Sequence, residues 1–85
     1  MRWGLVITNP AERDLRGVEQ SDFNRINDVL EEMCSDPFQG DVKLLRGTGG
    51  ALRRRVGDWR ILFELDRKKQ LIVITGVRRR ASNTY

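Results

Sequence analysis

Apolar and polar positions alternate in several distinct registers along the chain. Trp3, Leu5 and Ile7 are interleaved with Gly4, Val6 and Thr8, which predicts a short strand with one clearly apolar face. A helix start follows, with Asn9 as the cap, Pro10 at the first helical position and Glu12 three residues after the cap. Gly17 is the expected stop, and Arg13 and Arg16 on this brief helix are expected to be solvated. Ser21 is the next expected cap, with Asp22 in the first turn. Phe23, Ile26, Leu30 and Met33 then recur at spacings of three or four, widened by Val29 and Cys34. That stripe predicts an amphipathic helix from Ser21 to about Ser35, ending before Pro37. Asp36-Pro37 and Gly40 mark a loop, and Val42 to Leu45 is a short apolar piece, strand or packed turn.

The stretch from Leu52 to Val77 changes to a period of two. Leu52–Val56, Trp59–Leu65 and Leu71–Val77 read as three strands, separated by Gly57-Asp58 and by Asp66 to Gln70. Gaps this short imply hairpins and an antiparallel meander. A two-residue loop at Gly57-Asp58 fixes the register: Val56 faces Trp59, Arg55 faces Arg60, Arg54 faces Ile61, Arg53 faces Leu62 and Leu52 faces Phe63. One face then collects Leu52, Arg54, Val56, Trp59, Ile61, Phe63 and Leu65, and should meet the helical stripe. The other collects Arg53, Arg55, Arg60, Leu62 and Glu64. Like charges directly opposite one another destabilise a sheet, so paired arginines suggest an anion-binding surface; the plain alternative is a solvated, arginine-rich face.

Length and charge narrow the possibilities. Eighty-five residues make one domain with a modest core. Sixteen basic and twelve acidic side chains leave +4, but unevenly: residues 1–45 carry five basic and nine acidic groups, net −4, and residues 46–85 carry eleven and three, net +8. The asymmetry points to an acidic partner for the C-terminal half, with nucleic acid first and an acidic protein segment or membrane surface as alternatives. No secretory leader or membrane span is expected, and a single cysteine, Cys34, fits a reducing cytoplasm and a core thiol. Histidine is absent, which removes histidine-based zinc sites, serine–histidine triads and histidine acid–base pairs. Acids in the basic half are only Asp58, Glu64 and Asp66, so no convincing metal set is offered and no cofactor is expected. Gly47-Thr48-Gly49-Gly50 lacks the Gly-Lys-Ser/Thr tail of a nucleotide-hydrolase loop and reads as a turn leading into the arginine strand.

Taken together, the chain resembles the RelE-type toxins of the RelE/ParE toxin–antitoxin superfamily. The likeness rests on Trp3, Asp36-Pro37, Leu45-Arg46-Gly47, the segment Arg55-Val56-Gly57-Asp58-Trp59-Arg60-Ile61-Leu62-Phe63, and the closing basic run to Tyr85. It spans almost the whole chain, and the Arg-Val-Gly-Asp-aromatic-Arg segment is its most specific part. It implies an α+β fold, a small antiparallel sheet with two N-terminal helices packed on one face. It also implies a metal-independent endoribonuclease that cleaves messenger RNA in the ribosomal A site and is neutralised by a cognate antitoxin protein.

By that resemblance, Arg53 and Arg55 stand where RNA-cleaving members have basic substrate-binding residues, and Arg60, Arg79 and Tyr85 match catalytic positions. The implied reaction is attack of a ribose 2′-OH on its own 3′ phosphate, giving a 2′,3′-cyclic phosphate and a 5′-OH end. Basic side chains would stabilise the phosphorane, tyrosine would be the candidate base, and the arginine past the last strand the candidate acid. Arginine's planar fork suits phosphate oxygens. With the nucleophile already in the substrate, the protein need only align it and offset developing charge. Two departures stand out: Arg54 falls at a position usually apolar, and the sequence ends at Tyr85 where many relatives continue into a C-terminal helix. A ParE-type inhibitor of DNA gyrase on the same scaffold and a non-catalytic RNA-binding domain are the alternatives.

Overall fold

A computed structural model describes residues 2–79. The elements are β1 (Gly4–Ile7), α1 (Asn9–Arg16), α2 (Gln20–Ser35), β2 (Val42–Leu44), β3 (Leu52–Val56), β4 (Trp59–Asp66) and β5 (Leu71–Arg79). The strands form one sheet in the order β1-β5-β4-β3-β2. The chain leaves β1, crosses one face of the sheet through both helices, and meanders back through β2 to β5. The fold is α+β as expected, and β2 through β5 are antiparallel. β1 joins the edge of β5 in parallel, Gly4 beside Leu71 and Ile7 beside Ile74, so the sheet is mixed.

The caps differ from the sequence expectation. α1 is capped by Thr8, not Asn9: its hydroxyl oxygen accepts from the Ala11 N–H at 3.5 Å and donates to the Ile74 carbonyl at 2.8 Å. One residue thus ends β1, starts α1 and staples both to β5. Gly17 stops the helix as expected, its N–H reaching the Asp14 carbonyl. α2 begins at Gln20 behind Glu19, with no side-chain cap, and Ser21 lies inside the helix. Packing of Val18 against the core fixes this entry without a capping oxygen.

Ile26, Leu30 and Met33 of α2 meet Ile61, Phe63, Ile72, Ile74 and Val77 of the sheet in one cluster, joined by Ala11 of α1. Both helices therefore cover the same face. Each large side chain buried there contributes about 1.5–3 kcal/mol. Cys34 is a buried free thiol.

Arg54 lies on this packed face, as the register required, and is only 9% exposed. Its Nη1 donates to the Gln39 carbonyl at 2.7 Å and its Nη2 lies 3.7 Å from Glu32 of α2. The loop after α2 folds over the guanidinium. Gly40, at φ +86°, passes so close that a Cβ would fall 2.5 Å from Arg54 Cζ. The charge at an apolar position is thus a clasp between β3, α2 and the loop.

Candidate functional site

The face of the sheet away from the helices carries the charge. The β3–β4 register is the one the two-residue loop predicts: Arg55 beside Arg60, Arg53 beside Leu62. Gly57 has φ +57° and Asp58 does not have a positive φ, the pattern of a type II′ turn with glycine first. On the far side of β4, Arg60 is paired with Arg78 of β5. Arg55, Arg60 and Arg78 therefore form a row across three adjacent strands, spaced about 4.5–5.5 Å apart at the backbone. The open-face positions next along the sheet, Arg53, Leu62 and Gly76, form a second row.

Acids flank the first row at both ends. Asp41, just before β2, holds Arg53 Nη1 at 3.3 Å and lies 3.8 Å from Arg55 Nε. Asp14 of α1 lies 3.4 Å from Arg78 Nε. Arg60, in the middle, is exposed and has no ion-pair partner among the described residues. Arg55 Nε is buried with no hydrogen-bond acceptor, since 3.8 Å to Asp41 is too long for one. Among the described residues the row thus holds one exposed cation without an ion-pair partner, Arg60, between two arginines that each lie near an acid. Arg53 is less available: it is 7% exposed and donates to both the backbone and the carboxylate of Asp41.

Arg79 is not part of this row. It pairs across from Trp59, and its guanidinium lies over the Trp59 ring at 5.6 Å from the centroid. A β-bulge in the β4–β5 ladder is responsible. Leu62 is paired with Gly76 and Phe63 with Ile74, leaving Thr75 unmatched. Before it, Ile72 and Ile74 point to the core; after it, Val77 does. The extra residue shifts the alternation by one, turning Arg78 toward Arg60 and Arg79 toward Trp59. The sequence signal was present: core residues spaced two, then three apart, with a glycine inside a strand. Arg78, Asp14 and Asp41 are the site residues that sequence reasoning missed. Tyr85 lies outside the described residues.

No aromatic side chain sits on the open face among the described strand residues, because Trp59 and Phe63 both face the helices. No group of three or more acidic or sulfur ligands suited to a metal ion occurs among the described residues. No helix among them is long and apolar enough to cross a membrane.

The fold is that seen in solved structures of RelE-type toxins. The chain superposes on the toxin–antitoxin complex RelBE2 of Mycobacterium tuberculosis with a TM-score of 0.85 at 23% identity, over 94% of this chain and 100% of the other. An archaeal RelE–RelB complex from Pyrococcus horikoshii gives 0.81 at 23% identity, over 96% and 99%. The isolated RelE toxin of E. coli gives 0.82 at 15% identity, over 96% and 88%. A structure described as a YoeB/ParE toxin from Agrobacterium tumefaciens gives 0.77 at 21%, over 92% and 99%. No family model and no curated protein matches at the level of sequence. At these identities the likeness establishes the fold.

Proposed function

We propose that the protein is a ribosome-dependent mRNA endonuclease, the toxin of a type II toxin–antitoxin pair, acting in the cytoplasm. The observation that carries this reading is Arg60, exposed and without an ion-pair partner among the described residues, between Arg55 and Arg78 on an open sheet face. Like charges held side by side oppose folding. Their presence is accounted for by a phosphodiester that neutralises them.

In the proposed reaction the ribose O2′ attacks the adjacent phosphorus, a P–O2′ bond forms, and the P–O5′ bond breaks. The proton of the 2′-OH passes to a base, and O5′ is protonated as it leaves. Products are a 2′,3′-cyclic phosphate and a 5′-OH. Arg55, Arg60 and Arg78 offset the charge that gathers on the phosphorane oxygens, and each preorganised donor of this kind contributes about 100-fold or more in rate. Arg53, in the next row on the same face, shares Asp41 with Arg55 and helps to hold that acid at the end of the row. The resemblance gave the role of candidate acid to Arg79, as the arginine past the last strand; on the open face beside Arg60 it is Arg78 that stands in position for that role. Tyr85 remains the candidate base on the resemblance alone. A free tyrosine, titrating near about 10, is a weak base at neutral pH, so the cationic surroundings matter. Such weak groups suit an enzyme whose substrate is ordered by the ribosome.

The same surface and the +8 of residues 46–85 support a cognate antitoxin with an acidic or amphipathic segment. The lack of open-face aromatics among the described strand residues speaks against simple RNA binding by base stacking. Primer extension on programmed ribosomes, with a metal chelator present, tests the reading. It expects cuts within the A-site codon, unchanged by chelation, with cyclic phosphate ends. Protein that cuts no message but blocks gyrase supercoiling would assign the fold to the gyrase-inhibiting branch.

A further inference from the structure

We infer that Asp14 is a positioning residue that sets Arg78 at the phosphate site, coupling α1 to the arginine row; the inference rests on the nuclease reading above. Three features converge on this carboxylate. β1 ends at Ile7, so beyond Ile74 the outer edge of β5 has no strand beside it. Asp14 Oδ2 takes that place, accepting the Val77 N–H at 2.9 Å. The same oxygen lies 3.4 Å from Arg78 Nε. The contact is through Nε, and the two terminal nitrogens of Arg78 make no hydrogen bond among the described residues. The bulge at Thr75 turns Arg78 onto the open face just before this contact.

Gly76 lies directly against the pair: a Cβ there would meet Asp14 Oδ2, Arg78 Nε and Leu62 Cδ1, each at 3.4 Å, an ordinary van der Waals contact. The Asp14 side chain is 26% exposed, against 63% for Arg78, so the fixed member of the pair is the acid. A long, exposed arginine otherwise loses its position to rotamer freedom.

Asp14→Asn separates the two tasks of the carboxylate. An amide oxygen still accepts the Val77 N–H, but the charge facing Arg78 is gone. Melting should fall by no more than about 8 °C, the upper end for one partly exposed ion pair in a domain of this size. Single-turnover cleavage on programmed ribosomes should fall by about 10- to 100-fold at saturating protein, the range that misplacement of a reacting group gives. Asp14→Glu should recover part of the loss. Asp14→Asn combined with Arg78→Ala should be no slower than Arg78→Ala alone. Wild-type rates in Asp14→Asn, or losses that multiply in the double variant, would overturn the inference. Relaxation of the Arg78 Nε–Hε signal by NMR, free of any substrate, distinguishes this failure from that of the nuclease reading. The signal should be ordered in the wild type and mobile in Asp14→Asn. Equal order in both would overturn the placement whether or not the protein cleaves RNA.

Discussion

The bulge at Thr75 makes a sharp distinction between two neighbouring arginines. Arg78 stands across from Arg60 on the open face, and Arg79 stands over Trp59 on the other. Arg78→Ala removes a donor from the row while leaving the core untouched, since its side chain is 63% exposed. The rate of message cleavage should fall by about 100-fold or more, on the order of 2.7 kcal/mol of transition-state stabilisation. Stability should change little, because the lost ion pair with Asp14 is partly solvated. Arg79→Ala should behave in the opposite way. It forfeits a cation–π contact worth about 0.5–1 kcal/mol at an exposed site, a drop of about 2–8 °C in melting temperature. Cleavage should stay within about threefold, less than the loss of any one group acting at the reacting phosphate. Single-turnover cleavage on programmed ribosomes, beside thermal unfolding of each variant, measures both. A well-folded Arg79→Ala that cannot cut, with Arg78→Ala active, would refute the assignment of faces and the role given to the bulge.

Three further variants concern stability and are read by thermal or denaturant unfolding. Arg54→Met should lie within about 1 kcal/mol of wild type, because an apolar side chain of similar size replaces a buried charge. Glu32→Ala should cost about 1–2 kcal/mol by leaving that charge without its partly exposed partner. A larger loss from Arg54→Met than from Glu32→Ala would contradict the clasp described for Arg54. Gly57→Ala should cost about 1–2 kcal/mol, since an L-residue is disfavoured at φ +57°. An added Cβ would also meet Arg25 Nη2 at 3.0 Å. Undiminished stability would mean that the hairpin has another turn available.

The parts of the fold governed by local alternation were legible in the sequence. A glycine placed for a two-residue turn fixed five cross-strand pairs, and with them the face of Arg53, Arg55 and Arg60. The helical stripe likewise named Ile26, Leu30 and Met33 as core. Features decided by contacts distant in sequence were not legible. β1 runs parallel to β5 because the chain crosses the whole sheet before returning, and a strand of four residues carries no mark of its partner's direction. Thr8 outcompetes Asn9 as a cap because it also bonds Ile74, sixty-six residues away. Nothing near Asp14 in the sequence singles it out, and only the open edge of β5 gives it a role. The bulge is an intermediate case. Thr75-Gly76 interrupts the spacing of core residues, whereas Arg79 was singled out by the resemblance alone, as the arginine past the last strand.

The central claim is that the open-face arginine row is where RNA is cut, and Arg60 is its least ambiguous member. It is exposed, has no ion pair among the described residues and lies between two other arginines, so its loss cannot disturb the core. The decisive measurement is the cleavage rate of Arg60→Ala on programmed ribosomes, at protein concentrations that saturate the wild type. The account predicts a loss of about 100-fold or more. Melting should be unchanged or slightly raised, because removing Arg60 also relieves repulsion from Arg55 and Arg78. Cleavage at the wild-type rate by Arg60→Ala would contradict the account.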